Sequence, residues 1–90
     1  MRIALICQDK PDALQIRLDN RTAHLAHIDK SGVVEMAGPF LGPAGQMTGS
    51  LIVLNVATLQ DARDWAAADP YAKAGLFDNV MISEWKKVIG

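Results

Sequence analysis

Leu51-Ile52-Val53-Leu54-Asn55-Val56, entered through Thr48-Gly49-Ser50, is the stretch that decides the fold. Its hydrophobicity is continuous where a strand wetted on one side would alternate. That pattern marks a central strand covered on both faces. Immediately after it, Thr58 suits a helix N-cap, and Asp61, three residues on, stands where a capping-box acid would. Leu59, Ala62, Trp65 and Ala66 then give the apolar stripe of a helix that runs to about Ala68, where Asp69-Pro70-Tyr71 breaks it.

Working outward toward the N-terminus, Gly38-Pro39-Phe40-Leu41-Gly42-Pro43-Ala44-Gly45 reads as a loop. Before it, Val33 to Phe40 begins apolar and β-rich and is expected to form a strand that Gly38-Pro39 stops. Ile3 to Cys7 reads as a buried strand. Pro11 suits the first turn of a helix, with Asp9 and Asp12 favoured near its N-terminus. The recurrence of Leu14, Leu18, Leu25 and Ile28 predicts one buried stripe on a helix over Pro11 to Lys30, ended by a left-handed Gly32. Toward the C-terminus, Tyr71 to Asp78 is a short irregular or single-turn piece, and Val80 to Trp85 a last strand.

The order β-α-β-β-α-β is that of a ferredoxin-like split βαβ, an α+β fold, in one domain spanning 1–90. A chain of ninety residues buries only about 60–65% of the surface its unfolded form exposes. Two helices on one sheet face leave the other bare, and a second copy of the sheet is the expected cover, so a homodimer able to assemble further is anticipated.

Nine Lys+Arg against ten Asp+Glu give a formal charge of −1, without the clustered positive field that nucleic acids or anionic membranes require. No apolar run approaches the roughly 18–20 residues of a membrane span, and the N-terminal stretch is cut off by Gln8-Asp9-Lys10-Pro11 below signal-peptide length. One cysteine excludes an internal disulfide and is compatible with a reducing compartment; a cytoplasmic protein is expected.

Chemistry must come from few residues. Arg17, Arg21, His24 and Ile28 share a flank of the first helix, beside the leucine stripe. A cation beside a histidine disfavours its protonation, which suits His24 to act as a base. The plainer reading is a boundary histidine packed under a loop, with Arg21 paired to a surface acid. His27 falls about 300° round the helix from His24 and is expected to face solvent. Asp69 can be a simple helix-stop residue, or an acceptor that orients His24 if the helix ends approach. Ser50 at a strand entry is ordinary or a ligand donor. Cys7 reads as an inert core thiol. No nucleophile elbow, phosphate loop or cofactor motif occurs, and His24 with His27 makes a poor metal site; no cofactor or metal is expected.

Several blocks resemble the YCII-related (YciI-like) family of the dimeric α+β barrel superfamily. They are Ala4-Leu5-Ile6-Cys7-Gln8-Asp9-Lys10, Arg17-Leu18, Arg21-Thr22-Ala23-His24-Leu25, Ala37-Gly38-Pro39-Phe40, Thr48-Gly49-Ser50, Ala66-Ala67-Ala68-Asp69-Pro70-Tyr71, Ala74-Gly75-Leu76-Phe77 and Trp85-Lys86-Lys87-Val88. Each is weak alone; in order, they cover nearly the whole chain.

The resemblance implies protomers that pair sheet to sheet, and an active site around a histidine and an aspartate falling on His24 and Asp69. Arg21, Ser50 and Tyr71 lie in matching blocks as pocket-lining residues. The segment between Phe40 and Thr48 is compact compared with longer-looped members. Relatives include a dehydrochlorinase acting on a chlorinated hydroxyhydroquinone, and related barrels include muconolactone isomerases. What carries over is acid–base chemistry as a class. The expected protein is a cofactor-independent lyase or isomerase acting on a small cyclic or aromatic substrate, with His24 as base and Arg21 or Ser50 steadying the oxygen. The alternative is a non-catalytic module that binds a small ligand.

Overall fold

A computed structural model describes residues 1–90. The elements are β1 (Arg2–Asp9), α1 (Leu14–Ser31), β2 (Val34–Leu41), β3 (Met47–Asn55), α2 (Leu59–Ala68), α3 (Pro70–Lys73) and β4 (Phe77–Glu84). The strands form one antiparallel sheet in the order β2-β3-β1-β4, the ferredoxin-like arrangement. Ile3, Leu5 and Cys7 of β1 and Ile52 and Leu54 of β3 point to the helical side, where they close a core with Ala62 and Trp65 of α2. A smaller cluster of Ala13, Tyr71 and Leu76 sits at the other end of the helical layer.

The α2 capping box forms as read: Asp61 N–H donates to Thr58 Oγ1 at 3.1 Å, and Thr58 N–H to Asp61 Oδ2 at 3.2 Å. Gly32 takes φ 66° past the end of α1, also as read.

Four boundaries differ from the sequence reading. Helix α1 starts at Leu14, because Pro11-Asp12 form a turn in which Asp12 adopts φ 56°, a left-handed value aspartate tolerates better than most. Strand β2 runs through Gly38-Pro39 to Leu41, and the turn is confined to 42–46, closed by Gly42 N–H donating to Gln46 C=O. Proline is tolerated there because β2 is an edge strand. Strand β3 begins at Met47, so Thr48, Gly49 and Ser50 lie inside it. Strand β4 begins at Phe77, which pairs with Asp9 across a bulge, and the piece before it is the single turn α3.

The largest correction concerns the rotation of α1. Leu14, Leu18 and Leu25 are 44%, 48% and 44% exposed, whereas Arg17 and His24 are 3% and 6% exposed. At 100° per residue the leucine row lies roughly 100° from the middle of the inward face. That face carries Ala13, Arg17, His24 and, half-buried, Asn20 and His27. A polar stripe displaces the apolar one because its members find buried partners. The far side of the sheet, with Ile6, Leu51, Met36, Phe40 and Met81, carries no helix, so β3 is covered on one face within the chain.

Candidate active site

The inward stripe of α1 meets β1, β3 and α3. Asp69 is both the C-cap of α2 and the N-cap of α3, with Pro70 as the first helical residue. Its Oδ1 accepts the Tyr71 backbone N–H at 3.0 Å and lies 2.8 Å from His24 Nδ1. A carboxylate only accepts, so Nδ1 carries the proton and Nε2 is the nitrogen left to take one. Asp69 is 1% exposed. The His24 ring stacks on Tyr71 with centroids 3.8 Å apart, and Phe77 meets Tyr71 edge-on at 6.1 Å.

A second buried group adjoins the first. Arg17 forks onto Asp9, Nε to Oδ2 and Nη2 to Oδ1, both at 2.8 Å. Nη2 also donates to Ser50 Oγ at 3.0 Å, and the guanidinium carbon lies 4.9 Å from the Tyr71 ring centroid. Burial opposes the charge of Arg17, but the hydrogen bonds and charge of Asp9 outweigh it and hold the guanidinium above its ordinary value. Burial raises the Tyr71 phenol, partly offset by Arg17 and Arg21, so it stays a neutral donor. Cys7, paired in register with Ser50, is pushed up to about 12 by burial, with Asp69 and Asp9 adding to the shift and Arg17 opposing it. Its thiol is inert, as the sequence suggested.

His24, Arg21, Arg17, Ser50 and Tyr71 line one cavity of about 190 Å³ between α1 and the sheet, and Leu25, Ile28, Pro39, Met47 and Ile52 supply apolar wall. An apolar cavity of about 150 Å³ accepts benzene, so this one admits a single substituted ring. Arg21 is exposed at the cavity and forms no salt bridge. Its positive charge therefore faces whatever enters.

All five residues singled out from the sequence meet at this cavity or, in the case of Asp69, directly behind it. Asp9 and Arg17 were missed as site residues. The signal for Arg17 was its spacing of four and seven from Arg21 and His24; Asp9 reads as a helix-start charge but ends β1 and pairs with Arg17. His27 does not face solvent. Its ring lies 4.4 Å from that of Trp65 and its Nε2 is 3.1 Å from the Trp65 carbonyl, so it packs α1 against α2, away from the cavity.

The YCII-related domain matches residues 1–86. The protein YciI of Escherichia coli is 38% identical over 98 aligned positions, covering 98% of this chain and 99% of that protein. An uncharacterized protein of Haemophilus influenzae is 35% identical, with the same coverage. Among solved structures, the 5-chloro-2-hydroxyhydroquinone dehydrochlorinase of Burkholderia phenoliruptrix, in complex with 2,5-dihydroxybenzoquinone, superposes with a TM-score of 0.88 at 32% identity, over 96% of this chain and 94% of that one. A protein from Arabidopsis thaliana shares the fold alone, with a TM-score of 0.53 at 10% identity over 99% of this chain and 96% of that one.

Proposed function

Since the chain belongs to the YCII-related domain family, we propose that it is a cofactor-independent lyase or isomerase that moves a proton on a small cyclic or aromatic substrate bearing an acidic oxygen. The observation that carries this reading is the buried His24–Asp69 contact of 2.8 Å on the wall of a ring-sized cavity. Proton abstraction from a phenol, or next to a carbonyl, needs a base with a pKa near ambient pH, and histidine is the side chain made for it. Asp69 orients the ring so that Nε2 receives the proton. Arg21 supplies the countercharge for the oxygen on which negative charge develops.

In a lyase reaction of the kind the dehydrochlorinase name implies, the hydroxyl proton of a ring tautomer passes to Nε2. The oxygen's electron pair forms C=O and shifts through the conjugated ring, the carbon–halogen bond breaks, and halide leaves. A positioned base contributes on the order of 10²–10⁴ in rate.

The test is chloride release from 5-chloro-2-hydroxyhydroquinone. Wild type releases chloride above the buffer rate, and His24→Ala loses about 10²–10⁴ of that activity. His27→Ala, which touches Trp65 and not the cavity, keeps it. Tight binding of the quinone with no turnover of any ring substrate would instead favour the ligand-binding module.

The bare sheet face supports a homodimer as the working unit. Met36, Phe40 and Met81 are 48%, 39% and 51% exposed there, a surface that a second sheet would cover. Sedimentation at micromolar concentration is expected to give a dimer, and Phe40→Glu a monomer.

A further inference from the structure

We propose that Met47 is the specificity-determining residue that limits the substrate of this site to a single ring, by walling the ring-sized cavity off from a second, polar cavity beside it. This deepens the acid–base reading above and rests on it. The second cavity, of about 440 Å³, lies between the β1–α1 turn and the β2–β3 turn, with Lys10, Asp12, Gln46 and Thr48 among its walls. Met47 is the one residue that lines both cavities. The space open to a substrate is therefore set by where one side chain lies, since the fold holds more room directly behind it.

Regular alternation along β3 would turn Met47 away. Ser50 and Ile52 face the cavity, so Thr48 would come next on that side and Met47 would fall on the bare sheet face. A bulge intervenes. Phe40 pairs with Gly49 and Leu41 with Met47, which leaves Thr48 as an extra residue. One inserted residue reverses the facing of the side chain before it, and Met47 is aimed to the helical side. The turn behind it is tied down: Gly42 N–H donates to Gln46 C=O at 2.7 Å, Gly45 N–H to Gly42 C=O at 2.9 Å, and Ala44 N–H to Gln46 Oε1 at 3.0 Å. Only the Met47 side chain is left to yield. It is half-buried, unbranched and adaptable, which suits it to fill an irregular gap. Swinging it aside would carry apolar surface into the polar cavity, a cost borne by any substrate that needs the extra room. The ligand class follows: a single ring whose substituents on this side are no larger than a halogen or a methyl group.

The experiment titrates 2,5-dihydroxybenzoquinone and its 3-(3-hydroxypropyl) derivative into wild type, Met47→Ala, Met47→Val and Met47→Leu, and follows the visible absorption of the quinone. The tail ends in a hydroxyl to suit the polar cavity. Wild type is expected to bind the plain quinone, and the tailed one at least about 10-fold more weakly, the low end of the discrimination an apolar pocket makes by size. Met47→Ala should join the two cavities and bring the tailed quinone to about the affinity of the plain one. Met47→Val, shorter and at home in a strand, should narrow the gap in the same direction, and it keeps the test open if the alanine variant melts early. Met47→Leu conserves volume and should keep the gap. If wild type binds both quinones equally well, or the gap persists when Met47 is shortened, the assignment of Met47 is overturned and the acid–base reading stands. If wild type binds neither quinone, the substrate class falls and the assignment with it.

Discussion

The imidazole of His24 lies flat on the phenol ring of Tyr71, planes 10° apart and centroids separated by 3.8 Å, while the backbone of Tyr71 donates to the same Asp69 oxygen that His24 Nδ1 contacts. Tyr71 thus fixes the imidazole twice, through its ring and through the carboxylate its N–H helps to hold. Tyr71→Phe keeps both devices and should retain the fold and the Nδ1-protonated tautomer. Tyr71→Ala removes the ring from between Arg17 and His24 and should cost about 3–5 kcal/mol, the usual range for emptying a buried aromatic position. Denaturant unfolding of the two variants checks the contrast.

Asp69 caps α3 and contacts His24, and substitution separates the two roles. Asparagine is as good an N-cap as aspartate, so Asp69→Asn should retain the α3 cap, whereas Asp69→Ala should lose about 1 kcal/mol for the cap alone. The amide no longer dictates which ring nitrogen holds the proton. Nitrogen NMR of His24 should show Nδ1–H in wild type and a mixed or reversed tautomer in Asp69→Asn. Turnover should drop toward the ~10⁴-fold loss that follows removal of an orienting aspartate in a serine protease. An unchanged tautomer would remove Asp69 from the mechanism.

Gly49, directly before Ser50, has no room for a side chain. A Cβ there would stand 2.1 Å from the backbone oxygen of Cys7, which cannot swing aside without disturbing the β1–β3 pairing. Gly49→Ala should destabilise by about 1–3 kcal/mol and displace Ser50. Gly42→Ala meets only the side chain of Gln46, which can rotate away, and should be close to neutral. Thermal melts of the pair test whether the close approach is what demands glycine.

Alkaline stability should report on Cys7. Its thiol rises from 9.0 to about 12 on folding, through burial first and the charges of Asp69 and Asp9 second. A raised acid is favoured in its protonated form by the native state. Its contribution is full below the unfolded value and disappears as pH climbs from about 9 to 12. Through that window the slope approaches about 1.4 kcal/mol per pH unit. Cys7→Ala should therefore lose less stability than wild type between those limits. Parallel unfolding curves would show that the thiol plays no part.

The strand and helix order was readable because local signals agreed with the fold. The Thr58-to-Asp61 box and Gly32 did in the structure what their chemistry requires. The limits of β2 were not readable, since Pro39 stops a central strand but not an edge one, and edge position is a property of the whole sheet. His24 and Arg21 were found through their spacing on one flank of a helix, Asp69 and Ser50 through their places at a helix end and a strand entry, and Tyr71 through a block that resembles the family. Arg17 lay on the same helix flank, but its pairing with Asp9 stayed hidden because it joins the end of β1 to α1, a contact that no periodicity records. The buried face of α1 was misread for a related reason. Burial follows hydrophobicity only where polar groups lack partners, and here each has one.

That inverted helix bears on how the chain reaches its native state. During collapse, the Leu14-Leu18-Leu25 row is the side of α1 that sticks to any apolar surface, and it does so without geometric demands. The native rotation is preferred only after Asp9, Asp69 and Tyr71 have arrived to receive Arg17 and His24, and Asp69 and Tyr71 come from the far half of the sequence. The Arg17 and His24 face of α1 is thus a place where local preference and the final structure disagree.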